Sequence, residues 1–451
     1  MYRAWPPACD RSVTTDFAFP SDLAEQVITR WGRFVSRHDR PAPPLPAAAE
    51  LRRVLETAFF ASFLREEGRD LRFVLCCADD VQVAFEGSDD TVPLVSLSAP
   101  RPLTVEAIRA LAPAVNPDNS AILVRFAGDG ATGHSEIAGI LNIGSDLARA
   151  RSGRSFYHRP APYALVVDVR DAGEIHIYRG GIKLATLRAG LLHDQIAYSA
   201  LELLPVSQIL ATGEQALRPL VSPPEQEPPS ETSDFEWTAL LNTILCIVNE
   251  IKELAHGGTI LMVSPGAEST LPVRIKYRLD DQADVLSRRF VGFLNARHEL
   301  VGERRRQEAA ESANSREPAL RRWQAATFEA EEDLVDAADL VAGLSSVDGA
   351  VVMTSDLRVL GFGAEIVLDA AMPVRAFEAS GGVRTSAQLP EVDSESFGMR
   401  HRSAIRGVAV ADSTAAFVVS QDGTVTLCWK HGADVFIKRD INTLNPNLVG
   451  S

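Results

Sequence analysis

Apolar residues near the start of the chain recur every three or four positions, as they do on one face of an amphipathic helix. They are Leu23, Val27, Trp31 and Phe34. Ser21 precedes this run and is predicted to cap the helix. A second helix is predicted over Leu51–Glu67, ending at Gly68, because glycine readily adopts the left-handed conformation that follows many helices.

Short apolar or alternating runs follow, bounded by turn residues, and such runs are typical of β-strands. They lie at Leu71–Leu75, Val81–Phe85, Ala121–Phe126, Tyr163–Val169, Glu174–Tyr178 and Lys183–Leu187. The pair Gly180-Gly181 predicts a turn between the last two runs. Together the runs predict a β-rich layer with helices packed on it.

The second half of the chain begins with a predicted helix that reaches Ala255, followed by a strand at Thr259–Val263. A charge-rich helical stretch is predicted from Arg288 to Glu332, then a helix at Leu334–Leu344 and several strands. The predicted fold class is α/β. It comprises a C-terminal domain with a mixed central β-sheet flanked by helices, preceded by an α/β region.

A segment rich in Pro and Glu, residues 221–233, marks the clearest domain boundary, because such a composition does not favour a packed structure. Composition divides the remainder into regions 1–115, 116–220 and 234–440, with a tail at residues 441–451.

Charge and composition exclude several classes of protein. The 451 residues carry a formal net charge of -15, so sequence-independent binding to nucleic acid is not expected. The cysteine count of 5 is odd and shows no metal-ligand spacing, which indicates reduced thiols. No apolar run reaches the ~18 residues that a membrane span needs, and no signal peptide is recognisable. A cytoplasmic protein that binds neither nucleic acid nor membrane is therefore expected.

Asp348-Gly349-Ala350 is the first motif that could carry chemistry. It is predicted to join a helix to a strand, so that Asp348 would face a cleft at the mouth of the strand. Gly349 and Ala350 have little side chain, and a ligand or metal ion could approach their backbone closely. The alternative is a plain turn before a buried strand.

Arg400-His401-Arg402 is the second motif, with Gly398 before it and Ser403 after it. Arginine offers forked donors that suit phosphate oxygens. If a helix starts at Ser403, its free N–H groups would add to an anion site. The alternative is a solvated basic loop.

Two further segments are weaker signals taken alone. In the first, Gly361 to Ile366, small residues alternate with Phe362 and Ile366 and could form an apolar slot for a base, or simply a hairpin or bulge. The second, Ala416 to Val425, predicts a hairpin, with or without a function.

The order and spacing of these elements resemble the diadenylate cyclase (DAC) domain family over about Phe235 to Lys438. The resemblance rests on Asp348-Gly349-Ala350, on the segment from Gly398 to Ala404 and on the strand end at Ser420. The chain departs from the family at Met399, which stands where threonine is usual. It also departs after Ser420, where Gln421-Asp422 replaces the family's usual pair, and in a longer insert between Ser264 and Glu332.

The resemblance implies a role for each matching residue. It implies catalytic roles for Asp348, Arg400 and His401, of which Asp348 would bind Mg²⁺ or Mn²⁺ and activate the attacking 3′-hydroxyl group. The remaining residues that it implies for ATP binding are Gly349, Ala350, Gly363, Ile366, Gly398, Met399, Arg402, Ser403, Ser420 and Asp422. Among these, Ile366 would contact adenine, Arg402 would shape the loop and Ser420 would contact the triphosphate.

The implied reaction condenses two ATP molecules into cyclic di-AMP and two pyrophosphates. The chain carries a single set of motifs, and each set resembles half a site. A second DAC domain, in a homodimer or larger oligomer, is therefore expected to complete it. Two alternatives remain open: a receptor or scaffold that binds nucleotide without turnover, with Met399 and Gln421 as marks of decay, and a cyclase that uses GTP or mixed nucleotides.

The front half of the chain resembles the sensor domain family called DACNV, which precedes some DAC domains. The resemblance rests on Phe19-Pro20 with the helix after it, and on the segment from Phe63 to Arg69. It implies a regulatory ligand for residues 1–220, whose identity the sequence does not reveal.

Overall fold

The computed structural model describes residues 17–31, 43–66, 68–79, 81, 93–127, 134–143, 162–179, 182–193, 206–222, 229–280, 284–309, 317–367, 374–379, 389–421, 423–439 and 441. The described residues up to His193 belong to one compact unit, and those from Val206 onward belong to a second. Each unit is an α/β structure in which helices flank a mixed β-sheet.

The first unit contains an eight-stranded sheet with helices on it. Its helices are α1 (Pro20–Trp31), α2 (Ala48–Ser62) and α3 (Val105–Leu111). Its strands are β1 (Arg65–Glu66), β2 (Arg69–Asp70), β3 (Phe73–Cys77), β4 (Leu94–Pro102), β5 (Ser120–Ala127), β6 (His134–Asn142), β7 (Leu165–Asp171), β8 (Glu174–Arg179), β9 (Ile182–Arg188) and β10 (Leu191–His193). The order in the sheet is β10-β9-β8-β7-β3-β5-β6-β4, while β1 and β2 form a separate hairpin.

The apolar face of α1 is buried as its spacing predicts. Leu23 and Val27 are fully buried in one core with residues of α2 and the sheet. The guanidinium of Arg30 donates a hydrogen bond to the Leu184 carbonyl at 2.7 Å, which ties α1 to β9. Phe34 and residues 82–92 lie outside the described part of the chain.

Both predicted helix ends in this unit differ from the structure. The first helix begins at Pro20, so Ser21 lies inside the first turn instead of capping it. The side-chain hydrogen bond at this helix end comes from Asp22 instead of Ser21: the Asp22 carboxylate accepts a hydrogen bond from the Phe19 N–H at 2.7 Å. Proline suits the first helical position because its missing N–H would have no partner there.

The second helix ends at Ser62, five residues before the predicted end at Glu67. The chain then turns back on itself, because β1 pairs antiparallel with β2. Gly68, with φ of +80°, occupies the turn of this hairpin instead of following a helix.

The boundary expected between residues 115 and 116 falls inside one sheet. β3 from the first region pairs with two strands from the second, in parallel with β5 and antiparallel to β7. Such pairings join residues about fifty to ninety positions apart, and a composition profile does not detect them. The two regions therefore share one sheet and one core.

The second unit is built around a nine-stranded sheet. Its helices are α4 (Val206–Leu217), α5 (Pro229–Glu253), α6 (Val285–Ala309), α7 (Glu317–Leu344) and α8 (Met399–Val410). Its strands are β11 (Gly258–Val263), β12 (Val273–Arg278), β13 (Ala350–Thr354), β14 (Val359–Ile366), β15 (Ala376–Glu378), β16 (Glu391–Val392), β17 (Thr414–Val419), β18 (Val425–His431) and β19 (Asp434–Lys438). The order is β12-β14-β13-β11-β17-β18-β19-β15-β16.

Three predictions for this unit are corrected. α5 begins at Pro229, so the last part of the predicted linker 221–233 is helical. α4, placed before the linker in region 116–220, belongs to the second unit. The charge-rich stretch from Arg288 to Glu332 and the helix at Leu334–Leu344 are not separate, because α7 runs continuously from Glu317 to Leu344.

The pairing of the strands brings distant parts of the sequence to one side of this sheet. β11 runs parallel to β13 and antiparallel to β17, and Ala350 on β13 lies opposite Ala364 on β14. The starts of β11 and β13 and the ends of β14 and β17 therefore lie together. We call this side the Asp348 edge, and it comprises residues 256–258, 348–350, 363–366 and 419–421.

Cys246 and Cys428 are buried thiols, as their apolar neighbourhoods predict. Cys76 and Cys77 are also buried thiols. Burial raises the pKa of the Cys428 thiol to about 12, so this group is a small core residue without nucleophilic character. Cys9 lies outside the described residues.

Among the helices within the described ranges, none combines the length and apolar character that a membrane crossing requires.

Candidate functional site

The Asp348 edge gathers six of the residues that the sequence singled out, namely Asp348, Gly349, Ala350, Gly363, Ile366 and Ser420. Asp348 lies just before β13, and Ser420 just after β17. Between these two strands lies β11, entered through Gly257. Neighbouring strands are about 4.8 Å apart, so these positions span only about 10 Å along the edge.

Gly349 is required by the protein's own packing. Its φ is +114°, and a Cβ atom there would lie 2.5 Å from the carbonyl carbon of Gly363. Gly363 also has a positive φ, of +64°. The side of Gly349 on which a side chain would stand is therefore taken by the backbone of β14. This contact fixes the turn that presents Asp348. The approach of a ligand to Gly349 stays a prediction.

The Asp348 side chain is exposed. Among the residues that the structure describes, no side chain pairs with its carboxylate, in contrast to Asp356, which accepts a hydrogen bond from Arg358 at 3.0 Å. An unpaired carboxylate on a backbone fixed by two glycines is suited to bind a cation or accept a hydroxyl proton.

α8 begins four residues earlier than the predicted start at Ser403. Gly398 precedes it with extended backbone, and Met399 is its first residue. Arg400, His401 and Arg402 thus occupy the first turn, where unsatisfied N–H groups and the helix dipole favour anions. No side chain caps this end, because Gly398 has none.

Arg400 reaches from α8 to the middle of the Asp348 edge. Its Nη1 atom lies 3.0 Å from the point where a Cβ atom of Gly257 would stand, and the backbone N of Gln421 lies 3.2 Å from the same point. Gly257 has φ of +65°. Within the described ranges no carboxylate pairs with Arg400, so its charge is available to an anion.

The side chains of His401 and Arg402 both contact other side chains of the second unit. The Nε2 atom of His401 lies 3.1 Å from the hydroxyl of Thr426 on β18, and its ring stacks on Phe397. Arg402 donates to the Glu395 carboxylate at 3.1 Å. The hydrogen bond from Arg402, together with the charge of Arg406, lowers the pKa of Glu395. This contact ties the first turn of α8 to the segment before it, and the role of Arg402 in shaping the loop stays a prediction.

Ile366 packs between the sheet and α8. A Cβ atom at Gly407 would lie 2.7 Å from the δ-carbon of Ile366, so glycine in the helix makes room for this side chain. Its predicted contact with adenine stays a prediction.

Ser420 lies in the turn that joins β17 to β18. Its N–H donates to the Thr424 carbonyl at 2.9 Å, and its own carbonyl accepts the Gly423 N–H at 3.0 Å. The predicted hairpin is therefore confirmed. Ser403 and Met399 are exposed on the first turn of α8, and Asp422 lies outside the described residues.

The donors present fit a hydrated Mg²⁺ or Mn²⁺ ion that arrives with a nucleotide. Within the described ranges, no group of three His, Cys, Asp or Glu side chains could hold a metal ion. Mg²⁺ usually keeps several waters and takes one or two carboxylates together with substrate phosphates. Asp348 is the residue that would hold it.

One cavity of the second unit lies away from these residues. Its volume is about 520 Å³, and β12, the start of β14 and the loops beside them line it. None of the predicted ATP-binding residues contributes to it. We place the candidate site at the Asp348 edge because the glycine-fixed turn lies there, together with a carboxylate and a guanidinium that have no oppositely charged partner within the described ranges.

Sequence reasoning missed the structural roles of Gly257 and Gly407, and it missed Tyr277, whose ring stacks on that of Phe362 with centroids 4.9 Å apart. The doublet Gly257-Gly258 before an apolar strand was a usable signal for Gly257. A lone glycine inside a helical pattern was the signal for Gly407. Tyr277 had no signal, because its neighbour across the sheet lies 85 residues further along the chain.

Comparison with known proteins identifies one domain. Residues 40–142 match the family model described as "Probable sensor domain DACNV". No curated protein and no solved structure matches the chain. The matched segment runs from before α2 to the end of β6 and crosses the boundary expected at residue 115, in agreement with the shared sheet. The chain therefore contains a region that matches the DACNV sensor family.

Proposed function

We propose that this chain is a diadenylate cyclase that condenses two ATP molecules into cyclic di-AMP and that its first unit regulates the reaction. One observation carries the proposal: the Asp348 carboxylate and the Arg400 guanidinium lie on the same edge of one sheet, beside the N-terminus of α8, and neither has an oppositely charged partner among the described residues. The DACNV match adds support, because this sensor family precedes some diadenylate cyclase domains.

The charges suit nucleotidyl transfer. Arg400 and the free N–H groups of α8 would bind phosphate oxygens, and His401, anchored to Thr426, would fix the start of that helix. The Asp348 carboxylate would accept the proton of the attacking 3′-hydroxyl. The new bond joins that oxygen to the α-phosphorus of the second ATP, and pyrophosphate leaves. Bound at Asp348, Mg²⁺ or Mn²⁺ would offset phosphate charge.

The site would be completed by a second copy of the chain. Each chain supplies one Asp348 and one Arg400, whereas the product contains two new phosphodiester bonds. Asp348 and Met399 are both exposed, the latter by 75%. An open edge of this kind allows two copies to face each other with an ATP on each, in a homodimer or larger oligomer.

Met399 favours a second candidate function. At the first position of α8 the chain presents an exposed thioether where the resembling family has a hydroxyl group. In this alternative the domain binds nucleotide as a receptor or scaffold without turnover. Use of GTP in place of ATP is a further outcome that the assay below distinguishes.

Asp348→Asn tests the proposed role of the carboxylate. The full-length chain is incubated with ATP and Mn²⁺, and cyclic di-AMP is measured by chromatography, with parallel reactions on GTP and on mixed nucleotides. We expect Asp348→Asn to lower product formation at least ~100-fold, the range for loss of one group that acts on the transition state, while ATP still binds.

Asp412→Asn is the matched control. Asp412 is an exposed carboxylate just before β17, at the opposite edge of the same sheet; 85% of its side chain is accessible, and it pairs with Lys430 at 2.7 Å. Its substitution should leave turnover unchanged. Equal turnover in Asp348→Asn and wild type would refute the role of Asp348, and ATP binding without product in the wild type would favour the receptor.

A further inference from the structure

Tyr277 presents an exposed aromatic ring next to the turn that carries Asp348. The residue lies on β12, the edge strand of the second sheet, and is 43% exposed. Its ring stacks on that of Phe362 across the strand pair, with centroids 4.9 Å apart and planes 22° from parallel. The resemblance to the cyclase family assigns no role to Tyr277, which lies inside the longer insert.

Two glycines, which lack side chains, allow the Tyr277 ring to lie close to the turn that carries Asp348. A Cβ atom at Gly363 would lie 3.2 Å from Cδ2 of Tyr277 and 3.5 Å from the carbonyl oxygen of Asp348. The ring and the Asp348 backbone therefore both lie against the Cβ position of Gly363. At Gly361 a Cβ atom would lie 2.3 Å from the Tyr277 carbonyl oxygen, so a second glycine admits the β12 backbone.

The pairing with Phe362 contributes to the strand pair, as cross-strand aromatic pairs do. It does not account for an exposed ring beside unpaired Asp348. The Nζ atom of Lys276 lies 5.1 Å from the ring centroid. A cation–π contact at an exposed site changes an equilibrium constant about twofold to fivefold, whereas stacking of a base on an aromatic ring is worth about fivefold to 150-fold. A base can therefore displace this lysine.

We propose that Tyr277 is the base-stacking residue of the site and that it holds the purine ring of the nucleotide whose phosphates Arg400 binds. The inference rests on the proposed function for the identity of the nucleotide. On displacement, the Lys276 ammonium moves towards the phosphates, which attract it. Tyr277 thus selects for a planar base and contributes to binding more than to the chemical step.

The experiment compares two probes on the full-length chain: ATP, and inorganic triphosphate, which has the phosphates without the base. Dissociation constants are measured by calorimetry for wild type, Tyr277→Ala, Tyr277→Trp and the control Phe328→Ala. Phe328 is a partly exposed aromatic residue on α7 of the same unit. We expect Tyr277→Ala to weaken ATP binding at least ~10-fold and to leave triphosphate binding unchanged, whereas Tyr277→Trp and Phe328→Ala retain ATP affinity.

Retained triphosphate binding also shows that Tyr277→Ala is folded; if thermal unfolding shows that this variant is not folded, Tyr277→Leu replaces it. In a folded variant, equal weakening of ATP and triphosphate binding, or no weakening of either, overturns the inference. Product formation is measured separately, so ATP selectivity that depends on Tyr277 without any cyclic di-AMP would refute the cyclase and keep the stacking role. A wild-type chain that does not bind ATP overturns both.

Discussion

Arg400 and Arg402 are two positions apart on the first turn of α8, yet their surroundings differ. Arg402 forms an ion pair with Glu395, and Arg406 pairs with the same carboxylate. Arg400 points to the start of β11 and the end of β17, and the described residues offer it no carboxylate. A guanidinium without an acidic partner on an acidic protein retains its charge for a ligand, whereas a paired one mainly holds a loop.

This difference predicts unequal effects of the two arginines. Arg400→Ala should lower kcat/KM for cyclic di-AMP formation about 100-fold or more, because a charge-assisted contact to phosphate is lost. Arg402→Ala should cost less than about tenfold, since Arg406 still contacts Glu395. Steady-state kinetics on the two variants measures both values. The assignment is wrong if Arg402→Ala is the more damaging of the two.

At the scale of elements, α4 packs against the ends of β11 and β13, two of the strands that carry the site. The Ser355 hydroxyl donates to the Ile209 carbonyl at 2.7 Å, and the Thr212 hydroxyl donates to the Ser264 hydroxyl at 3.0 Å. Ser264 follows β11 and Ser355 follows β13, so both lie opposite the Asp348 edge. At Gly213 a Cβ atom would stand 2.1 Å from the Ser355 carbonyl oxygen.

Gly213→Ala should therefore destabilise the second unit. The added methyl group must push the backbone of α4 from Ser355, at a cost of about 1–3 kcal/mol in the free energy of unfolding. Gly343→Ala on α7 is the matched control, because a Cβ atom there meets nothing within 4 Å, and it should stabilise by about 0.5–1 kcal/mol. Thermal unfolding of the two variants tests the contrast, and a Tm for Gly213→Ala at or above that of wild type would exclude the close crossing.

The strands and the positions of the motifs were predictable from sequence, whereas the residues that pack against each motif were not. The apolar runs at Ala121–Phe126 and Thr259–Val263 lie in strands because a buried strand needs a continuous apolar segment. The packing of Gly349 was not predicted, since the backbone of Gly363 meets it only after β13 and β14 pair. The start of α8 was missed because Gly398 gives no capping signal.

At the scale of the whole molecule, the chain joins a unit containing the DACNV match to a unit with one Asp348 and one Arg400. The net charge of -15 makes an isolated cationic group on the second unit more distinctive as a phosphate site. If two copies must face each other, any signal received by the first unit can act by changing how the second units meet. The central claim is therefore that product forms between chains.

Co-production of wild-type chains with an excess of Asp348→Asn chains tests that claim most directly, because pairs then form at random. Cyclic di-AMP formation from ATP and Mn²⁺ is measured per wild-type chain over a range of mixing ratios. The account predicts that product per wild-type chain falls in proportion to the wild-type fraction, since a mixed pair has only one complete half. Product per wild-type chain that is independent of the mixing ratio, or absent at every ratio while ATP binds, would contradict it.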